Sequence, residues 1–165
     1  MSREIVIDTE TTGLNPLTGD RVVEIGGVEL FNHVPTGRHF HKYINPERRM
    51  TEEAFQVHGL GDDFLADKPR FAEIVDEMIG FFGDATLIAH NAPFDVQFLN
   101  FELEKARRPS LGNQIIDTVT LAREKHPGAR SASTRSASTT ASTIPAALCT
   151  ARCSTARSWR TSIWS

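Results

Sequence analysis

Ile5-Val6-Ile7-Asp8-Thr9-Glu10-Thr11-Thr12-Gly13 is the stretch from which the organisation of the chain can be worked out. Its β-branched run predicts a buried strand, because such side chains fit a pleated surface that is covered on both faces. Asp8 and Glu10 are two residues apart, so a strand directs both carboxylates to one face. Two anions this close repel each other unless a proton or a cation lies between them. Paired oxygen ligands suit Mg²⁺ or Mn²⁺, and the stretch therefore predicts a metal site. The alternative is a strand that ends in a solvated acidic turn.

The composition is typical of a soluble globular protein, and 165 residues favour a single domain. No apolar run approaches the roughly 18 residues of a membrane span, and no signal peptide precedes the first strand, so we expect a cytoplasmic protein without membrane contact. The net charge is −3, and residues 131–165 contain four Arg but no Asp, Glu or Lys, which leaves −7 on residues 1–130. An acidic domain does not attract nucleic acid through its overall charge. A polyanion would have to be held locally, through a metal ion.

Hydrophobic periodicity and turn residues predict an α/β domain with a three-strand meander followed by α and β units. Pro35-Thr36-Gly37 predicts the hairpin connection between the second and third strands. The predicted elements are, in order, strands at 5–7, 21–31 and 38–44, helices at 51–59 and 71–82, a strand at 86–89, a helix from Pro93 to about Arg107, a strand end at 115–118 and a helix that begins at 119–125.

A third acid, Asp95, lies in the segment His90-Asn91-Ala92-Pro93-Phe94-Asp95, just after an apolar strand. An Asp in the first turn of a helix often interacts only with the helix dipole. Its position after a strand, like that of Asp8 and Glu10, makes a shared metal site the competing interpretation.

These segments resemble the motifs of a known family. Asp8-Thr9-Glu10-Thr11-Thr12-Gly13 is similar to the first motif of the DEDD (DEDDh) 3′→5′ exonucleases, and the segment 90–95 is similar to the second. The likeness covers residues 3–130 nearly continuously and includes Val57-His58-Gly59 and Asp117-Thr118. It implies a ribonuclease-H-like three-layer α/β fold with a mixed central sheet, incomplete at the C-terminus. It also implies proofreading of a replicative DNA polymerase, with a single-stranded DNA 3′ end, the polymerase catalytic subunit and a small accessory subunit as partners.

The resemblance also implies a mechanism, phosphodiester hydrolysis with two Mg²⁺ or Mn²⁺ ions. Asp8 would bridge the ions, Glu10 would bind one of them, and Asp95 would add a ligand or a water-mediated contact. The residues implied to bind the terminal nucleotide are Asp8, Glu10, Thr11, Glu53, His58 and Asn91. Without the family, Glu53 and His58 are equally well explained as a solubilising residue and a cation at a helix end.

The third motif of the family, a general-base His followed five residues later by a fourth carboxylate, does not occur in this sequence. No Asp follows Asp117, and the last His is His126. We therefore expect little or no nuclease activity and reduced stability for the chain as written. Two alternative functions are an RNA-trimming exonuclease of the same superfamily and a catalytically inactive binding or scaffold domain.

The composition changes at Ser131 to Ser, Thr, Ala and Arg without periodic apolar spacing, which predicts a disordered tail at 131–165. The arginines and two Trp of this tail could alternatively bind nucleic acid. Read from the third base of each codon, Leu148 to Thr155 permits Leu-His-Gly-Ala-Leu-Leu-Asp, which resembles the missing third motif. We infer a single-base frameshift near Arg130, genuine or a sequencing error, that leaves a truncated exonuclease domain at 1–130.

Overall fold

A computed structural model of the chain describes residues 2–125. The expectations for residues 126–165, including the disordered tail and the frameshift, lie outside these residues and stay predictions. The strands are β1 (Arg3–Thr11), β2 (Val22–Phe31), β3 (Val34–Tyr43), β4 (Thr86–Ala89) and β5 (Ile115–Asp117). The helices are α1 (Glu52–His58), α2 (Asp62–Leu65), α3 (Phe71–Phe82), α4 (Ala92–Lys105) and α5 (Thr118–Lys125), and a 3-10 turn spans Pro16–Thr18.

The five strands form one mixed sheet in the order β3-β2-β1-β4-β5. β1 pairs antiparallel with β2 and parallel with β4, and β4 pairs parallel with β5. The predicted α/β class with a mixed central sheet is confirmed. β1 is central because its odd-numbered residues Ile5 and Ile7 belong to the main core, while Val6 packs with Leu30 and Ile88 on the other face.

Helices α3 and α4 cover the Ile5 and Ile7 face of the sheet. Their apolar residues recur at helical spacing, as the sequence predicts, and pack against the strands in the main core. The core residues of α3 are Phe71, Ile74, Val75, Met78 and Phe82, and those of α4 are Phe98, Leu99 and Leu103. This packing fixes the start of α4, and thus Asp95, relative to the end of β1.

The hairpin between β2 and β3 turns earlier than predicted. Asn32 and His33 form a two-residue connection, and both have positive φ, as a tight hairpin turn requires. Pro35 instead pairs with Leu30 inside β3, and the register shifts between Val28 and Leu30. The prediction was wrong because Pro and Gly are also tolerated at bulges of an edge strand, where no neighbouring strand needs their hydrogen bonds.

The loop after β1 is held against the rest of the domain by Asp20. A Cβ on Gly13 would collide with the Asp20 carboxylate, which accepts hydrogen bonds from the backbone N of Asn15 at 3.1 Å and from Arg48 Nη1 at 2.8 Å. The hydroxyl of Thr51 donates to the Thr12 carbonyl at 2.9 Å and ties the start of α1 to the same loop. Within residues 2–125, the helices lack the length and apolar character needed to cross a membrane.

Candidate active site

The face of the sheet opposite α3 and α4 carries the acids of the first motif. Asp8 and Glu10 lie on this face of β1, and the register places Glu24 of β2 directly opposite Glu10 and Gly26 opposite Asp8. Asp8 is exposed, whereas Glu10 and Glu24 are half-buried. The ladder shifts register between Glu10 and Thr11, and such irregularities commonly redirect side chains beside functional sites. Three carboxylates therefore share one patch of the sheet.

Asp95, in the first turn of α4, lies near the end of β1, where its charge acts on Asp8 and Glu10. Its side chain is only 4% exposed, and its Oδ1 accepts a hydrogen bond from Thr9 Oγ1 at 2.6 Å. This bond joins residues 86 positions apart in the sequence and fixes the Asp95 carboxylate beside the end of β1. The second motif is thereby brought to the first, as the sequence predicts.

Burial and mutual repulsion perturb these acids strongly. Lost hydration is the largest cause in each case: it raises the pKa of Asp8 from 3.8 to about 7, of Glu10 from 4.5 to about 7, and of Asp95 from 3.8 to about 6. The charges of Asp95 and Glu24 add to the shift at Asp8, and those of Asp8, Glu24 and Asp95 add to it at Glu10. The Thr9 hydroxyl partly opposes the shift at Asp95. Asp8 reaches solvent on one side, but the protein around its carboxylate still removes much of its hydration.

The donor set fits a hard divalent cation. The carboxylates offer only oxygen donors, and none of Asp8, Glu10, Glu24 and Asp95 forms an ion pair with an Arg or Lys of residues 2–125. Three His, Cys, Asp or Glu side chains do not converge closely enough within the described residues to enclose a metal ion. A small hard cation commonly takes only one or two carboxylates and completes its shell with water and substrate phosphate. An open, acidic and partly dehydrated patch meets that requirement.

His58, like Asp95, is a predicted site residue that the fold brings close to the carboxylates of the patch, here Glu24. It is 4% exposed at the end of α1, and its Nδ1 accepts a hydrogen bond from the Leu60 backbone N at 3.1 Å. Burial lowers its pKa, and the nearby Thr11 backbone and Glu24 carboxylate oppose the shift only in part. Its Nε2 is buried and makes no hydrogen bond of acceptable geometry with the described residues. The Thr11 backbone acts on the ring without a hydrogen bond of good geometry to Nε2, so this buried group can accept a better partner from a ligand.

The other residues predicted to bind the substrate, Thr11, Glu53 and Asn91, differ in burial and in their contacts. Thr11 is buried, and its hydroxyl donates to the Gly13 carbonyl at 2.6 Å, so the side chain shapes the loop. Glu53 is exposed in the first turn of α1, and its side chain forms no hydrogen bond with the described residues. Asn91 precedes α4 in the left-handed region, with φ of 62°, and its side chain is exposed. The contacts of these three residues with a nucleotide stay predictions.

Asp117 holds the second motif in place. Its Oδ1 accepts hydrogen bonds from the backbone N atoms of Asn91 at 2.9 Å, Ala92 at 3.3 Å and Val119 at 3.1 Å, and its Oδ2 accepts one from Thr120 Oγ1 at 2.8 Å. Lost hydration acts to raise the pKa of Asp117, but these hydrogen bonds outweigh it, and the pKa is lowered. The end of β5 therefore caps the start of α4, four residues before Asp95.

Two residues of the site were not identified from the sequence. Glu24 is one of two acids in β2, and only the strand register places it opposite Glu10. An acid two residues before Gly26 and Gly27, in a strand with few polar residues, is the signal that could have found it. Thr9 was recognised only as part of a motif, because its hydrogen bond to Asp95 depends on the packing of α4 against β1.

Comparisons with known proteins agree with this geometry. The RNase_T family model, which describes an exonuclease, matches residues 5–145. DNA polymerase III subunit epsilon of Rickettsia prowazekii is 52% identical over 132 residues, which cover 78% of this chain and 58% of that protein. The chain thus spans less than two thirds of the length of this curated relative.

Solved structures give the same result for the fold. Exonuclease X in complex with 5′ overhanging duplex DNA has a TM-score of 0.62 and 26% identity, and the match covers 78% of this chain and 68% of that one. Escherichia coli exonuclease I in complex with an oligonucleotide has a TM-score of 0.70 at 16% identity, over 78% of this chain and 31% of that one. The predicted ribonuclease-H-like fold and the resemblance to DEDD exonucleases are confirmed. The chain belongs to the RNase_T exonuclease family.

Proposed function

We propose that residues 2–125 carry the cation-binding and DNA-binding part of a 3′→5′ exonuclease that proofreads for DNA polymerase III. The observation that carries the proposal is an open acidic patch in which the charges of Asp8, Glu10 and Asp95 act on one another and, within residues 2–125, pair with no Arg or Lys, in a chain whose relative is a DNA polymerase III subunit epsilon. By the same argument we propose a cytoplasmic location, with the polymerase catalytic subunit and a small accessory subunit as partners.

The carboxylates would hold two Mg²⁺ or Mn²⁺ ions, which when bound activate a water molecule and stabilise the leaving 3′ oxygen of the phosphodiester. Asp8 and Glu10 present their oxygens on the open face of β1. Asp95 is held by the Thr9 hydroxyl through Oδ1, and backbone N–H groups of Thr9 and of Asp95 itself also stabilise its charged form.

The environment of His58 supports DNA binding at the same place. Because Nδ1 accepts a hydrogen bond, the neutral ring carries its proton on Nε2, and the lowered pKa keeps the ring neutral at pH 7. This buried Nε2–H has no acceptor of good geometry among the described residues. An oxygen of the terminal nucleotide would satisfy it. Thr11, Glu53 and Asn91 are proposed to complete the contacts with that nucleotide.

We further propose that the 165-residue chain hydrolyses DNA slowly, because the general base and the fourth carboxylate of the family motif do not occur in its sequence. Loss of a general base typically lowers the rate by a factor of about 10²–10⁴. The test is to compare the 165-residue chain with a frame-restored version on single-stranded DNA labelled at its 5′ end, with Mg²⁺ or Mn²⁺. Stepwise shortening from the 3′ end is expected for both, with the frame-restored version faster by that factor.

Two variants distinguish loss of a site carboxylate from the general effect of removing one negative charge. Asp8→Asn should abolish the remaining hydrolysis, whereas Asp63→Asn, which alters an exposed acid of α2, should leave it unchanged. Equal rates for the 165-residue chain and the frame-restored version would show that the proposed impairment is wrong. A frame-restored version that shortens RNA but not DNA would identify an RNA-trimming enzyme instead. Retention of a polymerase catalytic subunit without hydrolysis by either version would favour a binding or scaffold role.

A further inference from the structure

Glu24 is a carboxylate of the site to which the family motifs assign no role. The antiparallel register of β1 and β2 places it opposite Glu10, so both side chains project from the same face of the sheet. Its side chain is 19% exposed, and its charge acts on Asp8, Glu10 and His58. Glu24 therefore lies within electrostatic range of every part of the site except Asp95.

The Glu24 carboxylate is fixed in orientation. His41 of β3 lies opposite Gly26, and its Nε2 is 2.6 Å from Glu24 Oε1. The His41 ring packs edge-on against Tyr43, with centroids 4.7 Å apart, and Tyr43 packs edge-on against Phe64. A side chain held in this way has lost its conformational freedom before any ligand arrives, which is the arrangement expected of a preorganised site.

Only one of the two Glu24 oxygens is engaged. Oε1 contacts His41, whereas Oε2 accepts no hydrogen bond from the residues that the structure describes. Space is also available beside it, because a Cβ placed on Gly26 would meet no atom within 4 Å. An acid beside Asp8 and Glu10 adds repulsion to the site, and a hydrogen-bond donor to its second oxygen would offset that cost.

The buried Nε2 of His58 is an independent sign that a ligand belongs here. It lies close enough to Glu24 and to the Thr11 backbone to be influenced by both, yet it forms no hydrogen bond of good geometry within residues 2–125. A ligand that brings oxygen atoms and water to this patch would supply an acceptor for His58 and a donor for Glu24.

We propose that Glu24 is a positioning residue whose Oε2 accepts a hydrogen bond from a water of the cation bound at Asp8 and Glu10, and that His41 holds it in place through Oε1. This proposal rests on the proposed function of the site. Residues that orient metal ligands through hydrogen bonds commonly change metal affinity by a factor of about 10–100 when they are replaced.

The test measures Mn²⁺ binding by the 165-residue chain without DNA, using the electron paramagnetic resonance signal of free Mn²⁺ and the proton relaxation of water on bound Mn²⁺. Glu24→Gln is expected to raise the Kd for Mn²⁺ about 10-fold or more and to alter the relaxation of the bound water. Glu24→Asp keeps the charge but withdraws the carboxylate, and we expect a comparable loss. His41→Phe is expected to weaken binding as well, because Glu24 is released.

A matched control exists on β1. Glu4 is buried and, like Glu24, contacts a His, with Oε2 2.8 Å from His33 Nδ1, but it lies four residues before Asp8, about 14 Å along the strand. Glu4→Gln should leave the Kd for Mn²⁺ unchanged. Equal weakening by Glu4→Gln and Glu24→Gln, or wild-type affinity of Glu24→Asp, would mean that only the net charge matters and would overturn the positioning role. Tighter binding by His41→Phe would do the same, because release of Glu24 is expected to weaken binding.

Folding of the variants is checked by thermal melting without metal. Glu24→Gln removes repulsion between like charges and should not lower the Tm, so a large decrease would identify Glu24 as a structural residue and contradict the inference. If the unaltered chain binds no Mn²⁺, the proposed function fails and this inference fails with it. If the unaltered chain binds Mn²⁺ and Glu24→Gln binds it equally well, only this inference fails.

Discussion

Two groups of carboxylates in this domain have opposite surroundings. Glu102 of α4 is 1% exposed and receives two hydrogen bonds from Arg21, at 2.6 Å from Nε and 2.8 Å from Nη2. Glu29 of β2 is contacted by Arg3 at 2.7 Å and by Arg38 at 3.1 Å. The charges that act on Asp8 and Glu10, by contrast, are those of other acids.

The difference separates acids that stabilise the fold from acids that we propose bind a cation. Arg21 and Glu102 join β2 to α4, and Arg3 also donates to the carbonyls of Phe81 and Phe82 at the end of α3. Their charges are satisfied within the protein. Within residues 2–125 the charges at Asp8 and Glu10 have no such partner, and their raised pKa values record first their lost hydration and then the repulsion between them.

The largest expected effect comes from breaking the ion pair between Arg21 and Glu102. Glu102→Ala should lower the free energy of unfolding by about 3–5 kcal/mol, because Arg21 would be left without its buried partner. Chemical denaturation of the metal-free protein measures this loss. Glu104→Ala alters an exposed residue of the same helix and should change the stability by less than about 0.5 kcal/mol. A loss below about 1 kcal/mol for Glu102→Ala would show that the pair contributes no more than an exposed one.

Asp117 is an intermediate case, since its partners are backbone N–H groups and a hydroxyl. Asp117→Ala should cost about 1–2 kcal/mol, the range for loss of a helix cap, because Asn91, Ala92 and Val119 lose their common acceptor. It should also weaken Mn²⁺ binding, because the turn that carries Asp95 is no longer fixed. Denaturation and Mn²⁺ titration of the same samples measure both. Asp84→Ala, at an exposed acid before β4, provides the control and should affect neither quantity.

The sequence predicts features that are set within one helix or strand better than features that depend on contacts between separate elements. The carboxylates of Asp8 and Glu10 and the apolar face of α3 are set by periodicity within one element, and both predictions agree with the structure. The four-residue helix α2 is too short to show any periodicity, and it was not predicted.

The features that were missed depend on pairing between separate elements. Pro35-Thr36-Gly37 has the composition of a turn, but the hairpin turns at Asn32 and His33, where both residues adopt positive φ. The position of Glu24 opposite Glu10 depends on strand register, and the hydrogen bond of Thr9 to Asp95 depends on helix packing. Residue types alone do not distinguish the paired Glu102 from the unpaired Glu10, because only the folded chain shows which acid meets an Arg.

A smaller effect is expected at Asp8, where a substitution should raise the free energy of unfolding instead of lowering it. Asp8→Asn should raise the free energy of unfolding of the metal-free protein by about 1 kcal/mol, the upper range for a charge that still reaches solvent. The reason is that it removes one charge from a repelling set, at the expense of function. Denaturation with a chelator present measures the gain. Asp63→Asn changes the net charge equally but lies on α2, and a similar gain there would attribute the effect to net charge alone.

The smallest expected effect is a dependence of the free energy of unfolding on pH. Its direction differs between the acids Asp8 and Glu10 and the hydrogen-bonded Asp117. Asp8 and Glu10 have folded-state pKa values raised to about 7, so the folded protein binds more protons than the unfolded chain between about pH 4 and 7. Stability therefore falls as the pH rises through this window. The advantage of Asp8→Asn over the unaltered chain should be present at pH 8 and shrink towards pH 5, where the Asp8 carboxyl is increasingly protonated.

Asp117 should show the reverse dependence. Its folded-state pKa lies below the ordinary 3.8, so its contribution is present above that pH and is lost as the pH falls through the folded-state value. The deficit of Asp117→Ala should thus remain constant from pH 8 to 5 and decrease only in stronger acid. Denaturation of both variants and the unaltered chain across this range, without metal, measures the two differences. Parallel curves for Asp8→Asn and Asp117→Ala would mean that the site acids titrate like ordinary carboxylates, and the contrast between the two groups would then rest on geometry alone.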